Sequence, residues 1–161
     1  MPSDALTHAE LSCLDDMSMS IVVQFNPTSF KLGRRVSWAE QPAALQPWST
    51  LQYGSGGSDN MQVTLLMDES ESDASVLPNM EGFYRFTLPI RVSAEVIRPP
   101  VLLFRWEEFR FLGVVQSIDI DVLLFDESGS PKRATVALSL IGRAFAAAVS
   151  ADEFFTQTYE P

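Results

Sequence analysis

Residues 109–142 read FRFLGVVQSIDIDVLLF, then DESGSP, then KRATVALSLIG. Both outer segments alternate. Ile118, Ile120 and Val122 share one side and Asp119 and Asp121 the other, while Ala134, Val136, Leu138 and Leu140 oppose Arg133, Thr135, Ala137 and Ser139. A period of two is the mark of a half-buried strand. The six residues between the arms hold Gly129 and Pro131, which suit a connection. At about 3.3 Å per residue, a dozen paired residues reach roughly 40 Å, about twice a typical strand. A hairpin of that length in a short chain points to a scaffold or assembly surface.

The rest of the chain supports a mainly β reading. Ser20 to Phe25 forms a short strand stopped by Asn26-Pro27, because proline cannot donate to a ladder. Phe30, Leu32, Val36 and Trp38 share a parity and predict a second strand, with a loop over 39–48 at Pro42 and Pro47. Leu51 to Tyr53 begins another strand, Gly54-Ser55-Gly56-Gly57 reads as a flexible hairpin connection, and Met61, Val63, Leu65 and Met67 alternate after it. A helix is expected within 75–96, capped by Asn79, with Met80, Phe83, Tyr84 and Leu88 on one face before Pro89 stops it. Residues 101–106 follow as a strand, and Ala144 to Val149 suits a short helix. Residues 1–19 lack a period and read as a mobile arm, which leaves a β domain over 20–143 and a tail over 144–161. Strands, one helix, then strands describe a closed or sandwiched antiparallel sheet with a helix at its side.

Composition narrows the function. The 161 residues suit one domain, and 46% hydrophobic content suits a globular one. No apolar run nears the ~20 residues of a membrane helix. The first ten residues lack a basic start and an apolar stretch, so the expectation is a protein made and kept in the cytoplasm, or one that leaves it without a signal peptide. Cys13 is the only cysteine, which excludes a disulfide framework and a thiolate metal cluster. A net charge of −10 disfavours nucleic acid, since nothing here neutralises a run of phosphates.

Catalytic and cofactor chemistry finds little support. The glycine segment lacks the Lys-Ser/Thr pair and the following helix of a phosphate loop. With His8 as the only histidine, neither a Ser-His-Asp triad nor a histidine-rich metal site can be built in one chain. Residues 68–73 hold four carboxylates but not the alternate ligands, central glycine and closing glutamate of a calcium loop. Asp119 and Asp121, two apart on one strand face, lie at a spacing glycosidases use, about 7 Å. They lack the apolar pocket that raises an acid's pKa, and an enzyme is not expected. No cofactor is implied. Trp38, Trp48 and Trp106 fit core or a subunit interface better than a ligand site. Lys31, Arg34 and Arg35 make a basic spot whose use on an acidic chain is pairing with carboxylates of a neighbour. Asp119 and Asp121, with the tip residues Asp126, Glu127, Ser128, Gly129, Ser130, Pro131, Lys132 and Arg133, complete the expected contact set. Unpaired strand edges at the hairpin seek partners.

In order along the chain, several segments resemble the contractile injection system tube-protein family, relatives of the antifeeding prophage and the Photorhabdus virulence cassettes. Val22 to Thr28 looks like that family's "VQFNP" start, and Ser37-Trp38 falls where its second strand often ends. Leu51 to Asp68 is similar to its "LxFxGG…LxxxLxFD" hairpin, and Arg98 to Trp106 to its "PPxxxFxW" segment. Phe111 to Ala134 follows its "FxGVVxS…LFDxxGxPxRA" hairpin. Members commonly continue into a peptidoglycan-binding LysM module, which is not expected here because the 161 residues stop about twenty after the last strand, and residues 68–75 with Pro89 replace a smoother, more charged helix region. The resemblance implies a phage tail-tube-like antiparallel β-barrel or sandwich with one flanking helix and a long hairpin. It implies a ring homo-oligomer, sixfold, at the baseplate or tube-initiation end, between the spike hub and the inner tube. Its partners would be its own copies and the neighbouring baseplate, spike-hub and tube proteins, with no direct membrane contact and with assembly in the cytoplasm. The alternative from another class is a small-molecule-binding β-barrel, monomeric and with a cavity.

Overall fold

The structure, a computed structural model, describes residues 7–145 and 150–156. In chain order the elements are β1 (Glu10–Cys13), a single-turn helix (Met17–Met19), β2 (Ile21–Val22), β3 (Phe30–Gln41), β4 (Thr50–Asp68) and α1 (Leu77–Arg85). There follow β5 (Ile90–Arg91), β6 (Ile97–Arg98), β7 (Leu102–Trp106), β8 (Phe109–Phe125), β9 (Pro131–Ala144) and α2 (Ala151–Thr156). The expected long hairpin is β8 and β9, paired from Phe111↔Ala144 to Phe125↔Pro131. Along β9 every second residue from Lys132 to Gly142 is buried, as the pleat requires. On the flanking β4, Met61, Val63, Leu65 and Met67 bury the same face. Full burial of each such side chain stabilises the fold by about 1.5–3 kcal/mol, so a one-residue slip of register would be prohibitive.

Seven strands form one antiparallel sheet in the order β2-β1-β7-β8-β9-β4-β3, with β5 and β6 a separate two-residue pair. The sheet curls until its ends meet. Beyond β2, Gln24 donates its Nε2 to the Asp68 carbonyl oxygen at 2.7 Å and accepts the Asp68 N–H at 2.9 Å, so a side-chain amide substitutes for one rung of ladder. Across the curl, Phe30 of β3 lies against Phe109 at 4.6 Å and Phe104 at 6.4 Å. Leu11, Cys13 and Phe104 from β1 and β7 fill the inside together with Met61, Leu65, Val136 and Leu140, and Phe83 and Phe86 join them from α1 and its end. Where β8 and β9 cross most tightly, a Cβ on Gly142 would run into the Leu112 carbonyl oxygen and one on Gly113 into that of Ile141, so both positions require glycine.

Several expectations are corrected. From residue 7 onward the supposed arm belongs to the sheet: β1 pairs with β2 and β7, and Ala9, Leu11 and Cys13 are wholly buried. Their alternation is masked by His8, Glu10 and Ser12. The ion pair of Asp15 with Arg98, 2.9 Å and nearly buried, fastens the same segment to the stretch that leads into β7. The strand expected over 20–25 shrinks to two residues. Gly54, Gly56 and Gly57 are not a hairpin connection, since β4 runs through them unbroken and the connection is 42–49. Register shifts between Arg34 and Val36 and between Ser37 and Trp38 put the extra residues on β4, within 54–58. Glycine there lets the bulged strand stay close to β3: a Cβ at Gly57 would lie 2.9 Å from the Arg35 carbonyl oxygen.

The helix is shorter than expected. It starts after Ser75, whose Oγ accepts the Leu77 N–H at 3.1 Å, carries Pro78 in its first turn, and has Asn79 inside it. Phe83 is buried but Tyr84 is exposed, so the apolar stripe is narrower than the spacing implied. Ala144 ends β9, residues 146–149 of the second expected helix lie outside the described residues, and α2 starts at Ala151.

Leu140→Ala is expected to cost about 2–5 kcal/mol, read as a fall in the urea midpoint. Thr64→Ala, on the opposite face of the sheet, should stay within about 0.5 kcal/mol. Gly142→Ala should prevent β8–β9 pairing. A normally folded Gly142→Ala protein would show that the two strands separate more readily than this ladder implies.

Candidate assembly surface

Strand lengths decide what the sheet leaves unpaired. β7 covers β8 only from Phe109 to Gly113, so residues 114–125 have no partner on that side. At the other end of the four-strand run β8-β9-β4-β3, all of β3 is an edge. Both free edges are twelve residues long. They also project to opposite ends of the molecule. The pairing of β4 with β9 runs from Asp59↔Gly142 to Asp68↔Arg133, so β3 and β4 extend beyond the Gly142 end as a two-stranded arm. The β8–β9 tip lies at the Arg133 end.

The tip is built by one carboxylate. Asp126 Oδ1 accepts the N–H of Ser128 and of Ser130, each at 2.9 Å, and the Ser128 hydroxyl at 2.6 Å. Gly129 supplies the positive φ of 85° that closes the turn. These hydrogen bonds, Ser128 first, hold the Asp126 carboxyl below its usual range. Glu127, Ser128 and Gly129 are exposed. Lys132 is not a surface contact. Its Nζ is buried against the carbonyl oxygens of Ser72 at 3.0 Å and Ala74 at 2.6 Å, pinning the acidic loop to the base of the hairpin. Arg133 is spoken for as well, meeting Asp68 at 2.8 Å.

Of the basic spot, Arg34 forms an ion pair with Asp59 at 3.1 Å, while Lys31 and Arg35 stand exposed on the free edge of β3. Asp119 and Asp121 stand exposed on the free edge of β8, opposite Ala137 and Thr135. No interior pocket encloses them. The curled sheet is filled by Met61, Leu65, Phe104 and Phe111, which leaves no room of the lipocalin kind. Two surface hollows of about 410 and 450 Å³ are open grooves, one along the acidic loop and one beside Arg34 and Arg143. No group of three metal-ligating side chains occurs among the described residues.

Sequence reasoning missed the arm of β3 and β4. Val36, Trp38, Leu51 and Tyr53 are exposed on it, with Trp38 and Tyr53 edge to face at 5.5 Å. At its tip, between Pro42 and Pro47, Leu45 is fully exposed at φ 67° and Trp48 is 77% exposed. The alternation of Val36 and Trp38 is visible in the sequence, but without their partners across the glycine segment it leaves core and subunit interface undivided. The β8–β9 arm carries its own apolar strip, Leu123, Leu124 and Phe125. Trp106, by contrast, packs on the core and donates its Nε1 to the Thr7 carbonyl oxygen at 3.1 Å.

The model of the contractile injection system tube protein family matches residues 7–149. The chain belongs to that family: it is a structural tube protein of a contractile, phage-tail-like injection system, not an enzyme. No curated protein matches it by sequence. Among solved structures it is similar to a chain from the tail of an empty gene transfer agent particle, solved by helical refinement with C6 symmetry. That chain is 14% identical, the likeness spans 90% of this chain and 94% of the other, and the TM-score is 0.44. It is also similar to a chain of the native gene transfer agent virion, 13% identical over 92% and 99% of the two chains, with a TM-score of 0.43. No helix among the described residues is long and apolar enough to cross a membrane.

Acid should loosen the Arg133 end of the sheet. Hydrogen bonds from Ser70, then from Arg133, hold the Asp68 carboxyl down to about 2. A depressed carboxylate stabilises the fold fully above the unfolded value near 3.9, and that contribution fades as pH falls through about 2. An NMR titration of the Asp68 side-chain carbon should show its midpoint near 2 and a loss of protection at Glu69 N–H below it. A midpoint near 4 would mean that the Ser70 and Arg133 contacts are not populated in solution.

Proposed function

We propose that this chain forms a closed homo-oligomeric ring, sixfold, at the baseplate or tube-initiation end of the particle, joining the spike hub to the inner tube. The observation that carries the ring is the pair of free edges. In the run β8-β9-β4-β3 the strands alternate in direction, and their number is even. Rotation about a ring axis therefore sets β3 of one subunit antiparallel to β8 of the next. An edge-to-edge contact of this head-to-tail kind closes when the rotation closes, and it satisfies backbone groups that would otherwise invite uncontrolled pairing. The offset of the edges toward opposite ends is the stagger that tilted strands need when a sheet closes into a barrel.

Side-chain chemistry supports the same contact. An overlap of the two twelve-residue edges one residue short of complete sets Phe30 against Leu124 and Arg35 against Asp119. The exposed strips Trp38, Leu51, Tyr53 and Leu123, Phe125 then find cover along one seam. Placement between unlike neighbours is supported by the unlike ends. One end is acidic, with Glu69, Glu71, Asp73, Asp126 and Glu127, and the other ends in the apolar tip of Leu45 and Trp48. Hub and tube proteins would meet different chemistry on the two sides. Assembly takes place in the cytoplasm, where the neighbouring baseplate and tube proteins are made.

Imaging of purified particles should show this chain as one closed ring coaxial with the tube, next to the spike hub. A soluble monomer absent from any particle would sink the ring, and a stack of many such rings would move the chain into the tube proper. Arg35→Glu should lower ring formation at least tenfold, measured by sedimentation at matched concentration, with little change in the melting temperature. Pairing with Asp119→Lys should restore part of it. Full assembly of Arg35→Glu would show that Arg35 lies off the seam.

A further inference from the structure

Besides the two edges of the proposed seam, a third and shorter one is bare. β4 pairs with β9 only from Asp59↔Gly142 onward, so along the arm its side away from β3 has no backbone partner among the described residues. That edge runs from Thr50 to Ser58, and every residue of it is exposed. It is also undefended. Neither a charge nor a proline interrupts it, whereas the free edges of β3 and β8 carry Lys31, Arg35, Asp119 and Asp121. Gly54, Gly56 and Gly57 leave its backbone open to close approach by another chain.

At the foot of this edge lies the open groove of about 450 Å³, with Gly56 to Ser58 on one side and Phe154 and Phe155 of α2 on the other. Its charged lining residues are both arginines, Arg34 and Arg143. The two rings stand edge to face at 5.0 Å, and a guanidinium steadies each, Arg143 over Phe154 at 5.3 Å and Arg98 over Phe155 at 4.7 Å. Arg34 keeps 57% of its side chain exposed beside its contact with Asp59.

We propose that this edge and groove form a docking site for the C-terminus of a partner protein, taken up as an added strand with its terminal carboxylate in the groove. A strand laid along Thr50 to Ser58 cannot continue past Ser58, because the end of β9 occupies the next place on β4. A chain terminus fits that dead end, whereas a continuing chain must turn away. Running parallel to β4, the added strand brings its last residue to the arginines. Arg34 then meets the carboxylate through a charge-assisted hydrogen bond while it holds Asp59. The last side chain lies against Phe154 and Phe155, which selects an apolar residue there. Main-chain pairing supplies affinity and the groove supplies specificity. The site is complete in one chain and does not depend on the ring.

An array of hexapeptides of randomised sequence, each with a free C-terminus, is the probe for the purified full chain. Bound peptides should share an apolar last residue. Amidation of their carboxylate should weaken binding at least tenfold by fluorescence anisotropy, and methylation of one alternate set of backbone nitrogens should do the same. Ser58→Glu, which sets a carboxylate at the foot of the edge, should also cost at least tenfold at an unchanged melting temperature. Phe155→Gln should abolish the preference for an apolar last residue. The bound peptide should shift the NMR amide signals of residues 51–58 and leave those of β8 in place. An array that selects no sequence, an amide that binds as tightly as the acid, or undiminished binding to Ser58→Glu would overturn the proposal. Amides of 51–58 that gain exchange protection with protein concentration alone would give the edge to a second copy of this chain and overturn it too.

Discussion

A backbone edge must pair with something, and in this molecule that requirement governs more than any side chain does. β7 stops at Trp106 while β8 continues to Phe125, and β4 has β3 beside it but nothing lies beyond β3. Two rows of N–H and C=O groups are left facing outward. A long, flat, exposed edge is a template for aggregation unless it is twisted, charged or covered. The protein uses the first two remedies itself. Register shifts twist the β3–β4 pair near Arg34 and Ser37 and the β8–β9 pair near Val115, Val122 and Leu124, and charges sit on both edges. In the proposed ring the third remedy falls to the neighbouring subunit. Opposite charge on the two edges, Lys31 and Arg35 on one and Asp119 and Asp121 on the other, favours pairing of unlike edges and opposes pairing of like ones.

The long hairpin was legible because its pattern is local. Thirteen residues of strict alternation in β9 have one period, one buried face and a turn that Asp126 and Gly129 close without outside help. β1 was hidden because three small or aliphatic residues, Ala9, Leu11 and Cys13, alternate with polar ones over too short a span to stand out. Only the tertiary contacts with Phe104 and Met61 make them core. The glycine segment misled for a different reason. Gly54, Gly56 and Gly57 are turn formers by propensity, yet here they lie in a bulged strand that runs straight on, which shows only once β3 is set beside it. Missing that continuity concealed the second arm.

Among the contact residues named from sequence, the structure separates those committed to the fold from those left exposed. Lys132 and Arg133 hold the acidic loop 69–74 onto the hairpin, and Arg34 steadies Asp59, whose other oxygen accepts the Ala144 N–H at 2.8 Å. Charge type and position alone could not distinguish them from Arg35, because that depends on which residue lies across the ladder. An acidic chain with few cations spends several of them internally, so the small remainder on the β3 edge carries most of the electrostatic specificity available to a seam.

The two arms also impose a direction. A subunit whose apolar arm leaves one end and whose acidic collar crowns the other cannot make the same contact above and below. Cyclic symmetry preserves that polarity, since rotation about the axis never exchanges the ends, whereas a two-fold dimer of rings would bury like chemistry against like. Stacking the acidic collars of two such rings would press five carboxylates per subunit, from Glu69, Glu71, Asp73, Asp126 and Glu127, against their copies. Over a Debye length of about 8 Å at physiological ionic strength, that repulsion is unscreened at contact distance. In the proposed ring the same charges would keep it from doubling back on itself and leave the collar free for a partner with basic chemistry, and the hydrophobic tip of Leu45 and Trp48 free for one with an apolar socket.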